Sequence, residues 1–170
     1  MKAPPGFAEY VASRGPALVR TAYLLTGDHH AAEDLVQTVL AKAVLRWRSI
    51  DGDPDAYVRR ALYHQQVSSW RRRARGRERL VAELPDRAAR DDADAVERRV
   101  LLRDALARLT PRQRAVLVLR FYEDRTESET AALLQISVGT VKSQTRRALG
   151  RIRVLGPELA DLVATSEGDS

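Results

Sequence analysis

With 29 Lys and Arg against 23 Asp and Glu, this 170-residue chain carries a formal charge of +6, which favours a polyanionic partner such as nucleic acid. The absence of cysteine excludes disulfides, thiolate metal centres and cysteine nucleophiles. Apolar residues make up 44% of the chain and aromatics only 5%, so cores of Leu, Val and Ala point to an all-α protein of one ordinary domain or two small ones.

Taken in chain order, Lys2 is followed by Pro4, Pro5 and Gly6, which is no secretory leader. No apolar run approaches the roughly 20 residues of a membrane span. A cytoplasmic location is therefore expected. The spacing of Phe7, Tyr10, Val11, Leu18, Ala22 and Leu25 predicts a helix over 7–25 with one buried side. Residues 26–28 break it, and Asp28 is a suitable N-cap for the next helix. In that helix, 31–47, Leu35, Val36, Val39, Leu40, Ala43, Val44 and Trp47 keep helical period. Residues 49–54 read as a loop, and a third helix follows over about 55–73.

The stretch 74–95 changes character. It holds Pro85, and six acids lie between Glu83 and Glu97. It reads either as a flexible linker between two helical domains or as an exposed acidic helix. A helix over 96–109 then opens the second domain, and the tail beyond about Leu162 is expected to fray.

Thr110 can cap a helix whose first position suits Pro111. Ala115, Val116, Leu119 and Tyr122 then have the spacing of one buried face. A short helix is predicted over 127–135 with Ala131, Ala132 and Leu134 inward, then a tight turn at 136–139 and a third helix over 140–153. That last helix carries Lys142, Arg146, Arg147, Arg151 and Arg153 with no acid, and Val141, Ala148, Leu149 and Ile152 on its apolar side. A cationic helix presented after a turn is what major-groove reading requires.

Three segments here, Leu109-Thr110-Pro111-Arg112-Gln113-Arg114, Thr126-Glu127-Ser128-Glu129-Thr130-Ala131 and Gly139-Thr140-Val141-Lys142-Ser143-Gln144-Thr145-Arg146-Arg147-Ala148-Leu149, closely resemble the C-terminal promoter-reading domain of sigma-70-type transcription initiation factors. Gly27-Asp28-His29-His30-Ala31-Ala32-Glu33-Asp34-Leu35-Val36-Gln37-Thr38-Val39 resembles the sigma segment that docks on RNA polymerase. Residues 54–62 and Ser69-Trp70-Arg71-Arg72-Arg73 resemble the promoter-melting part that follows. Order and spacing resemble the two-domain extracytoplasmic-function (ECF) group and its sigma-E-like actinobacterial branch.

The resemblance implies a region 2-like bundle over 6–73, a linker over 74–95, a region 4-like helix-turn-helix over 96–155 and a tail over 156–170. It implies binding to core RNA polymerase through Asp34, Leu35, Gln37, Thr38, Ala41 and Leu45. Minus-ten DNA would meet Arg59, Arg60, Tyr63, His64, Trp70, Arg71, Arg72 and Arg73, the cations holding phosphates and the aromatic rings stacking on bases or packing in the core. Minus-thirty-five DNA would meet Thr140, Lys142, Ser143, Gln144, Arg146 and Arg147. Among these, Lys142, Gln144 and Arg146 suit base edges and Arg147 suits phosphate.

His64 stands where the family commonly has Asn, and Ser69 where the sigma-E-like branch often has Trp. Consensus minus-ten specificity is therefore not carried over. The linker's acids fit two readings, nucleic-acid mimics near polymerase, as the resemblance implies, or a solvated spacer, and both stay open.

Other chemistry has little support. His29 and His30 point about 100° apart on a helix and do not close on one metal. Ser68 or Ser69 near His64 lacks an orienting acid and an oxyanion site, and no Gly-rich phosphate loop is present. No enzymatic activity and no cofactor is expected. The implied partners are core polymerase, promoter DNA and an anti-sigma factor, with no membrane and a monomer when free. The competing reading, a stand-alone helix-turn-helix regulator, needs a dimer interface, and no coiled coil is read here.

Overall fold

The computed structural model describes the backbone of residues 3–75 and 93–155 and the side chains within them, except those of 70–75, 93–99 and 155. The fold is all-α, in two small helical domains. Helices α1 (Phe7–Thr26), α2 (His29–Arg46) and α3 (Pro54–Arg75) form the first, with a 3-10 turn at Trp47–Ser49. Helices α4 (Ala93–Ala107), α5 (Pro111–Leu117), α6 (Glu127–Leu134) and α7 (Val138–Leu155) form the second. The ends of the predicted linker, 74–75 and 93–95, are helical, whereas 76–92 and the tail lie outside the described residues.

Local chemistry sets the helix ends. Gly27 closes α1 in the left-handed conformation (φ 78°) and returns its N–H to the Tyr23 carbonyl. Asp28 caps α2 as its sequence position predicts, its carboxylate accepting from Ala31 N–H at 2.8 Å. Thr110 and Thr126 each form a full capping box, with Gln113 and Glu129 as the reciprocal partners.

The helical stripes bury as their periods require: Leu18, Ala22 and Leu25 from α1, Leu35, Val36, Val39 and Ala43 from α2, Val58, Leu62 and Tyr63 from α3. This core does not stop at the domain boundary. Ala115, Val116, Val118, Leu119, Ala131, Leu134 and Val141 of the second domain belong to the same cluster. A smaller cluster, Ala105, Leu106, Leu109, Leu117, Ala148, Leu149 and Ile152, lies within the second domain.

Three local expectations fail, each for a visible reason. Tyr122, predicted on the buried face of α5, is 51% exposed. Residues Val118–Tyr122 form a π turn, closed by Glu123 N–H bonding the Val118 carbonyl, and the wider winding turns Tyr122 outward. Ala132 is exposed, and the inward positions of α6 are Thr130, Ala131 and Leu134. The chain reverses at Gln135 (φ 53°, ψ 50°), so Val138 and Gly139 already belong to α7 instead of the turn.

Arg114 joins the two domains. Its buried guanidinium donates to the Leu106 carbonyl, near the end of α4, and to the Leu25 carbonyl, near the end of α1, both at 2.7 Å. Helix C-terminal carbonyls lack intrahelical donors and carry partial negative charge, so a cation there answers both needs. Arg114→Ala is expected to lower the unfolding free energy by about 2–4 kcal/mol, because a stranded buried polar group costs about 1–3 kcal/mol and packing is lost as well. Arg114→Lys should lose less. Urea unfolding measures this, and an unchanged midpoint in the Ala variant would contradict it.

Candidate nucleic-acid and polymerase interface

Helix α7 separates its two faces cleanly. Val141, Ala148, Leu149 and Ile152 are buried, and Lys142, Arg146, Arg147, Arg151 and Arg153 are exposed. Ser137 fixes the start of the helix by accepting from Thr140 N–H at 3.1 Å, a role the sequence reading had not given it. Thr140 shares a hydroxyl–hydroxyl bond of 2.8 Å with Ser137, and Ser143 donates to the Thr140 carbonyl at 3.0 Å. A hydroxyl has one proton and two lone pairs, so both retain capacity for a phosphate or a base edge. Gln144 is half-buried. Lys142 lies 3.6 Å from the Glu127 carboxylate across α6, a solvent-exposed pair worth about 0–1 kcal/mol that leaves the ammonium available.

On α2, Asp34, Gln37, Thr38, Ala41 and Leu45 are all exposed. Leu45, at 72% exposure, is an apolar side chain with no packing role. Leu35 does not share this face; it is buried in the core. The exposed strip mixes polar and apolar groups, as reversible protein interfaces do.

Helix α3 presents a different picture. Arg60 is exposed, but Arg59 is partly buried and held by two carboxylates. Its Nε donates to Asp55 at 2.7 Å and an Nη donates to Glu123 of the second domain. Burial works against the Arg59 charge, yet the two acids outweigh it and raise its pKa. Burial likewise opposes the Asp55 charge, while hydrogen bonds from Arg59 and from the Tyr10 hydroxyl (3.0 Å) hold its carboxyl below the usual carboxylate value. The Glu123 side chain is only 6% exposed and also accepts from the Thr21 hydroxyl at 3.0 Å.

Tyr63 is fully buried beside Glu123. Desolvation first, and the Glu123 carboxylate second, push its phenol pKa up. His64 is half-buried, and its Nε2 has no hydrogen-bond partner among the described residues. The side chains of Trp70, Arg71, Arg72 and Arg73 lie outside the described residues.

Glu123 and Arg114 are thus the charged residues that sequence reasoning missed. Arg114 sits within a segment that carried the resemblance and Glu123 between two of them, but their partners are 89 and 64 positions away in the chain. Periodicity carries no signal over such separations.

Comparison with known proteins bears on this arrangement directly. The sequence profile of Sigma-70 region 2 matches residues 10–76, and that of Sigma-70, region 4 matches residues 105–154. The RNA polymerase sigma-E factor of Streptomyces coelicolor is 43% identical over 150 residues, covering 86% of this chain and 84% of that protein. The chain belongs to the sigma-70 family, in its ECF group.

The ECF sigma factor SigL of Mycobacterium tuberculosis is 33% identical over 151 residues, with 84% of each chain covered. Among solved structures, the sigma factor RpoE from Bartonella quintana, crystallised with the anti-sigma factor NepR, matches with a TM-score of 0.65 and 27% identity. That match covers 88% of this chain and 95% of that one. As a sigma factor, this protein binds core RNA polymerase and directs promoter-specific transcription initiation, and the stand-alone regulator reading is not favoured. Among the described residues no helix is long and apolar enough to cross a membrane.

His64 gives this sigma factor a pH signature. Burial, opposed by a backbone hydrogen bond at Leu133 and reinforced by Arg60, holds its pKa below 6.5. Above pH 6.5 the imidazole is neutral in the folded and unfolded states alike. Below it, the unfolded chain takes up the proton first, so stability falls until the pH passes the folded pKa. His64→Gln should flatten that fall in the window just below pH 6.5, as read by urea midpoints across pH. An identical slope in the variant would contradict the assignment.

Proposed function

We propose that residues 6–73 form the unit that engages core polymerase and the minus-ten region, that 74–95 link it to a minus-thirty-five unit over 96–155, and that 156–170 form a tail. The polymerase contact is assigned to Asp34, Gln37, Thr38, Ala41 and Leu45, all exposed on α2. Leu35 orients this strip from the core beneath it. The minus-ten strand is assigned to α3 through Arg59, Arg60, Tyr63 and His64, followed by Trp70, Arg71, Arg72 and Arg73. The minus-thirty-five duplex is assigned to Thr140, Lys142, Ser143, Gln144, Arg146 and Arg147 on α7.

One observation carries the reading. The exposed face of α7 holds five cations and no acid, while its opposite face is buried in the shared core and in the second domain's own. A rigid helix that turns its cations outward and buries its apolar side suits major-groove docking. Two weak modules on one chain gain affinity by effective concentration once both sites lie on one promoter. The protein acts in the cytoplasm without catalysing a reaction itself; the bond-forming chemistry is that of polymerase. An anti-sigma factor is its regulator, a reading supported by the Bartonella relative solved with one.

The test is run-off transcription with sigma-free core polymerase over a promoter library. The Lys142→Ala/Arg146→Ala variant should lose promoter-specific transcripts by at least about tenfold, since each lost base contact is worth about 1–3 kcal/mol. Core binding should survive. Undiminished transcripts would remove these two residues from the reading face.

A further inference from the structure

Three arginines gather where α7 ends. Arg147 and Arg151 of α7, Arg108 just past the end of α4 and Gln113 of α5 line an open cleft of about 730 Å³, together with Gly150 and Val154. All three arginines are exposed, and Val154, at 84% exposure, adds an apolar edge. Gln113 is buried; its side-chain oxygen accepts from Thr110 N–H at 3.2 Å, and its amide nitrogen donates to nothing among the described residues.

The charges of this cleft are unmatched. Elsewhere in the second domain Lys142 pairs with Glu127, Arg125 with Glu129 and Arg103 with Asp104. Among the described residues no carboxylate lies within ion-pair distance of Arg108, Arg147 or Arg151. Guanidiniums offer donors and no acceptor, and like charges that share a cleft favour the entry of an anion. The occupant that fits is therefore a chain of acids with apolar residues between them.

The sequence supplies one at the cleft itself. The described backbone stops at residue 155, one position beyond Val154. Gly156 and Pro157 follow, a pair that ends helices and turns the chain. Residues 158–170 then carry Glu158, Asp161, Glu167 and Asp169 with no Lys or Arg, and Leu159, Leu162 and Val163 lie among them. Along α7 the step from Val154 back to Arg147 is about 10 Å. An extended chain covers about the same distance between Glu158 and Asp161. A reversal at 156–157 thus brings Glu158 beside Arg151 and Asp161 within reach of Arg147. The acids of the linker have no such advantage, because that segment is tied to α3 at one end and to α4 at the other. The tail starts at the cleft, so its effective concentration there is high.

We propose that the acidic tail 156–170 folds back onto the cleft of Arg108, Gln113, Arg147 and Arg151, and competes there with duplex phosphate for Arg147. This rests on the assignment of Arg147 to the minus-thirty-five duplex. A guanidinium fork takes a carboxylate or a phosphate in the same manner, so tail and duplex exclude each other at that side chain. Affinity for duplex is then reduced by the fraction of chains whose cleft is uncovered.

The full-length chain has no cysteine, so Ala164→Cys accepts a single nitroxide. In isotope-labelled protein that nitroxide should broaden the amide resonances of Arg108 and Gln113, which are remote from the tail in sequence and line the cleft. Glu158→Gln/Asp161→Asn should restore them, and so should about 0.5 M NaCl, where the screening length is about 4 Å. Nitroxide-bearing chains mixed with isotope-labelled, nitroxide-free ones should leave the resonances sharp. Broadening in that mixture gives the cleft to a second copy and overturns the proposal. Resonances that are sharp in the labelled chain itself, or that stay broad once the acids are neutralised, overturn it as well.

Duplex binding reads the consequence. Glu158→Gln/Asp161→Asn should bind a fluorescein-labelled mixed-sequence duplex about 3- to 10-fold more tightly than the wild type. Glu9→Gln/Glu33→Gln removes the same charge from exposed sites in the first domain and should gain far less. An equal gain in this control assigns the effect to net charge and overturns the competition. Arg147→Ala keeps the two readings apart. Sharp resonances with weakened duplex binding by Arg147→Ala remove only the tail contact, while undiminished binding by Arg147→Ala removes the assignment of Arg147 on which the competition rests.

Discussion

The Leu25 carbonyl oxygen is the point on which the two domains converge. It lies in the last turn of α1, where no intrahelical donor reaches it. Gln66 of α3 donates to it at 3.1 Å and Arg114 of α5 at 2.7 Å, so both its lone pairs are used. Gly27 turns the chain away at this point through a left-handed conformation (φ 78°) that other residues rarely adopt. The other arm of Arg114 closes the end of α4 through Leu106. Burial lowers the Arg114 pKa, so the ion is retained because the carbonyls around it replace water. With α5 pinned in this way, Ala115, Val116 and Leu119 extend the core begun by α1, α2 and α3.

This arrangement sorts the functional faces by availability. Surfaces that point away from the seam, on α2 and α7, are presented to partners whatever the domains do. The face of α3 that meets the seam is held by charge, not by apolar contact alone: Asp55, Arg59, Glu123 and Thr21 form one connected polar group. Such groups fix a contact when every member is satisfied and cost stability when one is left unpaired.

Much of this was legible in the sequence, and the boundary of legibility has physical causes. Helices came from apolar period, since each stripe that faces a core must recur every three to four residues. Asp28 and Thr110 were readable as caps because capping is a local hydrogen bond. The reading face of α7 followed from five cations set against four buried apolar positions. What failed locally failed at irregular backbone: the π turn that exposes Tyr122, and the left-handed Gln135 that moves the reversal ahead of Val138 and Gly139. What was missed altogether was long-range. Glu123 reads as one acid in a polar loop and Arg114 as one more basic residue, and Tyr63 stays open between base stacking and core packing, until packing brings α3, α5 and the Glu123 loop together.

The most direct test of a core shared by both domains is cooperative unfolding. Both tryptophans, Trp47 and Trp70, lie in the first domain, so their fluorescence reports that domain alone, while helical circular dichroism reports both. In urea, the account predicts a single transition with coincident midpoints for the two probes. Two separated midpoints, with fluorescence changing while much of the helix persists or the reverse, would show that the domains fold independently and would contradict it.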